Sequence, residues 1–335
     1  MSDNTYKIIG AAYSAARQHM TESGFDWNEI ADHIGFDPDI TNDQEKLQPF
    51  DKVLELYEYF AELTGSDSIG LCTGVNPVIG SGFVADYLGL IAPSVGEAME
   101  NWQRYQNLIS NSFSCTLEYE GSCRYICWEF PKHLGSQVQY AGRLMGFVVA
   151  RLRYMLDNTK VVLSVELAHE EPKDIDTYQA VLGPNLKFNA ARHRVGVPVC
   201  YLNTVPPKSD GNLYKLMKAI AEARIEQQKA DLGPMARIYD TVSASLKDGR
   251  PDLQSISDTL GMSTRSLQRT LEAEGLTFRE LLDQVRKALA VRYLADKSKK
   301  INEVAYLLGY SDLSAFSRAA KGWFGVSPRE YRRQK

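Results

Sequence analysis

Apolar residues recur at helical spacing through most of the first hundred positions, gather into short β-rich runs between residues 113 and 167, and return to helical spacing from Leu213 onward. In the first stretch Asp26, followed three residues later by Glu29, forms a capping signature, and Gly35 supplies a stop. The runs 113–119 and 124–130 flank Glu120, Gly121 and Ser122, which predicts a hairpin. A helix is expected over 137–156 and a strand over 161–167. Helices and strands segregated in this way point to an α+β domain ending at Pro206 and Pro207. Beyond the break at Pro206, Pro207, Ser209, Asp210 and Gly211, a helix carries Leu213, Leu216, Met217, Ile220 and Ile225, and Gly233-Pro234 closes it. That stripe serves equally as a dimerisation seam or as a face packed on its own domain. The expected division is 1–206, a linker helix 207–233, and an all-helical domain 234–335.

The last domain contains a duplication with a period of about fifty residues. One copy reads ISDTLGMSTRSLQRTLEAEGLTFREL and the other INEVAYLLGYSDLSAFSRAAKGWFGVSPREY. In each, a short helix with apolar residues (Ile256 and Leu260, or Val304 and Leu308) ends at a glycine, Gly261 or Gly309, able to take the left-handed conformation of a tight interhelical turn. Ser263 and Ser311 are expected to cap the helices that follow. Those helices hold an apolar inner residue, Leu267 or Phe316, beside an outward arginine, Arg269 or Arg318. Thr277 with Glu280, and Ser327 with Glu330, read as capping boxes, with Pro328 in the first helical turn. Between the copies, Phe278, Leu281, Leu282, Val285 and Leu289 form one stripe on a connecting helix, which fixes the separation of the two units. Recognition helices roughly 34 Å apart would enter successive major grooves on one face of B-DNA.

Charge changes the picture. The whole chain carries −4, but residues 235–335 carry +6 and the remainder −10, and local positive charge is what a phosphate backbone attracts. The length of 335 residues and 44% hydrophobic content suffice for two cores. Five cysteines in so long a chain argue against a disulfide framework. With no secretory leader pattern and no long apolar run, a cytoplasmic protein without a membrane span is expected. No catalytic constellation stands out. His19, His33, His133, His169 and His193 are not at metal-ligand spacings, Cys123-x3-Cys127 lacks histidine partners, and the glycines at 74, 80 and 82 lack the lysine of a phosphate loop. Neither enzymatic activity nor a cofactor is expected.

The pattern from Ile256 to Tyr331, with its two turn glycines, exposed arginines and closing Phe324-Gly325-x-Ser327-Pro328-x-x-Tyr331 run, resembles the paired helix-turn-helix domain of the AraC/XylS transcription regulators. The resemblance implies base contacts from Arg265, Gln268 and Arg269 on one recognition helix and from Ser314, Ala315 and Arg318 on the other. Arginine binds guanine bidentately and glutamine binds adenine. The second helix, with Leu313 and Ala315 where polar groups could stand, is expected to read fewer bases. Ser263, Ser311, Lys321, Arg332 and Arg333 are the expected backbone contacts, while Arg286 and Arg292 are expected in structural ion pairs.

The stretches 89–108 and 165–188 are similar to the effector domain called arabinose-binding in one branch of that family, although nothing in them indicates arabinose. The implied fold is an α+β effector domain followed by an all-α domain with two helix-turn-helix motifs joined by a connecting helix. The implied function is sequence-specific binding of promoter or operator DNA, as an activator working with RNA polymerase. A small organic effector (an amino acid, fatty acid or other catabolite) would control it, with a homodimer as a further expectation. Trp102, Arg104, Tyr105, Trp128, His133, Tyr140 and Arg143 supply the aromatic and cationic groups of an effector pocket. The competing reading makes the N-terminal domain a protein-interaction or dimerisation module with no small-molecule ligand.

Overall fold

A computed structural model describes residues 6–77, 79–80, 83–231, 234–249, 251–295 and 299–334. Gly82 and Gly233 lie outside these, as does the side chain of Arg292. The chain divides into two compact units, Met1–Arg224 and Ile225–Lys335.

The first unit begins with β1 (Lys7–Ile9), α1 (Ala11–Glu22) and α2 (Trp27–Ile34), followed by β2 (Leu47–Pro49), α3 (Phe50–Thr64), α4 (Ile69–Gly74), α5 (Phe83–Leu90), α6 (Val95–Arg104) and α7 (Gln106–Ile109). Asp26 caps α2 by accepting from the Asn28 and Glu29 amides, and Gly35 ends it at φ 80°. The short ribbon β1–β2 is antiparallel and was not legible in the pattern. The expected hairpin forms as β3 (Ser114–Glu120) and β4 (Cys123–Glu129), with Cys115 opposite Trp128 and Glu120 opposite Cys123. Next come α8 (Val138–Met155), β5 (Ser164–Glu166), α9 (Ile175–Leu182), β6 (Leu186–Lys187) and β7 (His193–Pro198). The sheet order β3-β4-β7-β5-β6 makes β7 its central strand. β5 is shorter than the predicted run: Ser164–Glu166 pairs with β6 and β7, and Leu167 adds one more amide bond, to the Lys187 carbonyl of β6.

One face of the sheet contributes Ile126, Trp128, Val165, Val195 and Val197 to the core beneath α6 and α8. Contact between α4 and α8 is unusually close. A Cβ at Gly70 would stand 2.1 Å from the Gln139 carbonyl oxygen, and one at Gly74 would stand 2.2 Å from that of Arg143. Glycine is required there so that two backbones can meet, which is the use this fold makes of one of the glycines that failed the phosphate-loop test.

α10 (Gly211–Asp231) begins where the break was expected, and its first half belongs to the first unit. Tyr214 and Ala221 are buried, whereas Leu213, Leu216 and Ile220 are among the most exposed large apolar side chains of the chain.

The second unit is all helix: α11 (Pro234–Ser245), α12 (Leu253–Leu260), α13 (Thr264–Ala273), α14 (Phe278–Ala295), α15 (Ile301–Leu307), α16 (Leu313–Phe324) and α17 (Pro328–Gln334). It has two small cores. One is built from Ile238, Val242, Leu246, Ile256, Leu267, Leu271, Leu281, Leu282 and Val285, and the other from Ala290, Leu294, Val304, Ala305, Leu308, Phe316 and Ala320. α14 enters both, and Leu289 packs against each.

Candidate nucleic-acid interface and effector-domain residues

α12 and α13 form the first helix-turn-helix. Asp252 starts α12 with a reciprocal capping box to Ser255, and Gly261 ends it at φ 64°. Ser263 caps α13 by accepting from the Ser266 amide, 3.1 Å away. With Leu267 and Leu271 buried, Arg265, Gln268 and Arg269 are left exposed on the opposite side of α13. Helical periodicity enforces this, since residues three and four apart share a face.

α15 and α16 form the second. Gly309 takes φ 69° in the turn. The expected cap at Ser311 is corrected by one residue, because Asp312 accepts from the Ala315 amide at 2.7 Å while the Ser311 hydroxyl donates to the Asp312 carboxylate. An ionised oxygen at an N-cap gives a shorter, stronger bond than a hydroxyl, and these donors hold the Asp312 carboxyl below the usual carboxylate range. Phe316 and Ala320 are buried, Ser314 and Arg318 are exposed, and Ala315 is half-buried.

Of the expected backbone contacts, Ser263, Ser311, Lys321 and Arg333 are exposed. Arg332 is placed differently. Its Nε donates to the Leu294 carbonyl and its Nη1 to that of Lys299, which ties α17 to the end of α14. Arg286 donates to the Leu308 and Gly309 carbonyls at the end of α15 and stacks over Tyr310 at 4.5 Å. The predicted capping box at Thr277 and Glu280 is reciprocal, whereas at Ser327 the serine hydroxyl accepts from the Glu330 amide.

The seven aromatic and cationic residues expected around an effector fall into separate places. Trp102 and Tyr105 are buried at α6, and the Tyr105 hydroxyl and Arg104 Nε both donate to Glu222 on α10, at 2.7 and 2.8 Å. The Trp102 indole N–H is buried without an acceptor among the described residues. Trp128 lies in the sheet opposite Cys115 and His193, and exposed His133 meets the Tyr6 ring at 5.3 Å.

Arg104 and Tyr105 converge on Glu222, and Tyr140 and Arg143, one helical turn apart on α8, form a second pair. The Arg143 guanidinium lies 5.8 Å from the Tyr140 ring centre and 5.9 Å from that of Tyr57 on α3. Burial raises the phenol pKa of both tyrosines, so they remain neutral. Nothing in the sequence linked Tyr57 to Arg143, because eighty-six positions separate them and no periodic pattern spans that distance. Among the described residues no group of three or more His, Cys, Asp or Glu could hold a metal, and the five cysteines are free. No helix among them is long and apolar enough to cross a membrane.

Residues 24–205 match the family model of the arabinose-binding domain of the AraC transcription regulator, N-terminal, and residues 256–334 match a helix-turn-helix domain model. The chain is 24% identical to the ornithine utilization regulator of Pseudomonas aeruginosa, over 98% of its own length and 97% of the relative's. It is 39% identical over 117 residues, 34% of each chain, to the HTH-type transcriptional regulator VirS of Mycobacterium tuberculosis. The crystal structure of the transcriptional regulator CdpR from Pseudomonas aeruginosa aligns with 92% of this chain and 96% of that one, at 22% identity and a TM-score of 0.43.

Proposed function

The chain belongs to the AraC family of transcription regulators and is a DNA-binding regulator with an N-terminal domain of the arabinose-binding type; on that premise we propose that a small organic effector held in the first unit controls how the second engages promoter DNA. The observation that carries the reading is the pair of helix-turn-helix units, each with its own core, whose second helices both turn an arginine to the outside.

Arg265, Gln268 and Arg269 read bases in one major groove, and Arg318 with Ser314 and Ala315 reads fewer in the next. Ser263, Ser311, Lys321 and Arg333 hold phosphates, a sequence-independent task for which exposure and charge suffice. The intramolecular bonds of Arg332 remove it from this set. The regulator acts as an activator with RNA polymerase as its protein partner. Its effector is an amino acid, fatty acid or other catabolite; the relative named for ornithine utilization supports an amino acid. For control to operate, the effector must bind two states of the protein unequally.

A second reading, in which the first unit is a dimerisation module without a small-molecule ligand, is favoured by one observation. Leu213, Leu216 and Ile220, at i, i+3 and i+7 of α10, face outward.

Genome-wide capture of DNA by the full-length protein, followed by titration of the best site with metabolites of the adjacent genes, tests both. A discrete motif whose affinity shifts with one metabolite establishes the effector reading. A discrete motif indifferent to every metabolite, bound by a dimer that Leu216→Glu dissociates, establishes the second. Transcription in vitro with and without the regulator tests activation.

A further inference from the structure

Along one row of α8, at positions spaced by four and eight residues, stand three buried polar side chains: Gln139, Arg143 and Arg151, exposed by 4%, 9% and 4%. Two are matched. The Gln139 side chain accepts from the Gly70 amide at 2.9 Å and donates to the Asp67 carbonyl at 3.0 Å. Arg151 forms a two-pronged ion pair with Asp86, Nε to Oδ1 at 2.6 Å and Nη2 to Oδ2 at 2.7 Å. Arg143 has no carboxylate partner among the described residues, and its buried Nε finds no acceptor. Its neighbours are the rings of Tyr57 and Tyr140, and it is hydrogen-bonded to the Tyr57 hydroxyl, which also meets Thr73. Ring faces near 6 Å compensate a desolvated cation only in part, and buried charges in folded proteins are otherwise paired. The contrast with Arg151, on the same helix and equally buried, shows that the fold readily supplies such a partner from its own chain.

We infer that Arg143 is the anchor for the carboxylate of the effector, a small organic acid whose short apolar or aromatic body packs on the Tyr57 and Tyr140 rings. A guanidinium presents parallel N–H groups that match a carboxylate bidentately, and the Tyr140 hydroxyl, kept neutral by burial, supplies a further donor; the Tyr57 hydroxyl already donates to the Ala12 carbonyl. Phe50, in edge contact with Tyr140 at 5.2 Å, extends the apolar wall. This assignment rests on the effector reading above and narrows it to a chemical class and a position, separating Arg143 and Tyr140 from Arg104 and Tyr105, whose polar groups are engaged with Glu222.

Melting of the full-length protein tests it, using acetate, butyrate, benzoate and glutarate, each against its amide. At least one carboxylate is expected to raise the melting temperature by about 5 °C at a hundredfold excess over its Kd, with no response to the matching amide. Arg143→Met should abolish that response and melt no lower than the wild type, because it removes, at similar volume, a buried charge that has no carboxylate among the described residues. Arg143→Lys, which keeps the charge but not the fork, should retain a weakened response. An Arg143→Met protein that melts several degrees lower, or does not fold, identifies the arginine as a structural element and overturns the assignment. If an uncharged or cationic metabolite shifts melting and promoter affinity equally in wild type and Arg143→Met, the anchor is wrong while the effector reading survives. If neither this panel nor the metabolites of the adjacent genes shift either quantity, both fall.

Discussion

The two helix-turn-helix units share a plan and differ in how much of the surface is left to do chemistry. In the first, α13 buries two leucines and presents Arg265, Gln268 and Arg269 around a serine cap. In the second, α16 is capped by a carboxylate and carries an aromatic shell, with Tyr310, Trp323, Phe324 and Tyr331 packed against the second core, the Trp323 indole bonded to Asp283, and the Phe324 and Tyr331 rings stacked at 4.2 Å. Its turn is also hemmed in. A Cβ at Gly309 would lie 2.5 Å from the Gly249 carbonyl oxygen, while one at Gly261 would meet nothing. A duplicated motif therefore needs only its buried positions and its turn conformation to persist, and its exposed face is free to diverge in function.

The largest contrast is expected in the turns. Gly261→Ala costs about 1 to 2 kcal/mol for a left-handed alanine. Gly309→Ala adds a backbone clash and should reach roughly 3 kcal/mol or more. Hydrogen exchange of α12–α13 against α15–α16 peptides in the full chain measures this, and equal losses would remove the packing difference argued here.

On DNA, Arg269→Ala should cost about 1 to 3 kcal/mol on the preferred site and relax its sequence preference at one position. Arg318→Ala is expected to cost less, and equal penalties in a competition assay would show that both helices read bases alike.

Lys321→Ala or Arg333→Ala should weaken all sequences uniformly and reduce the slope of log affinity against log salt by about 1. A change in sequence preference would place that residue at a base instead.

The smallest effect distinguishes the caps. The folded-state pKa of Asp312 is depressed by its bonds to the Ala315 amide and the Ser311 hydroxyl. The stabilisation it gives is therefore present above the ordinary aspartate pKa and lost as pH falls through the lowered value. Ser263 does not titrate. Protection of the amides at the start of α16 relative to their intrinsic exchange rate at each pH should fall as the solution is acidified, while that at the start of α13 holds, and parallel behaviour at both ends would contradict the carboxylate cap.

Much of the second unit was legible because its determinants are local. The turn glycines, the apolar inner residues Leu267 and Phe316, and the α14 stripe each act within a few residues of themselves, and helical spacing alone sorts inside from outside. The cap at Asp312 was missed by one position because Ser311 and Asp312 are both good caps, and only backbone geometry chooses between them. In the first unit Tyr140 and Arg143 were grouped with the others only by residue type, and it is their place on one helix, α8, that brings them together. The grouping with Trp102, Arg104, Tyr105, Trp128 and His133 had no local rule behind it, and in the structure those residues occupy other places.

The sequence by itself determined the two-part organisation, the hairpin, the paired helix-turn-helix units and their outward arginines, because periodicity, turn chemistry and capping are written in adjacent residues. Tertiary structure alone decided that β7 is the central strand, that Gly70 and Gly74 admit the backbone of α8, that Arg332 and Arg286 hold carbonyls, and that Arg151 receives Asp86 while Arg143 receives no carboxylate among the described residues. Those outcomes depend on which distant segments meet. Desolvation then turns each meeting into a demand for a partner that no stretch of adjacent residues can reveal.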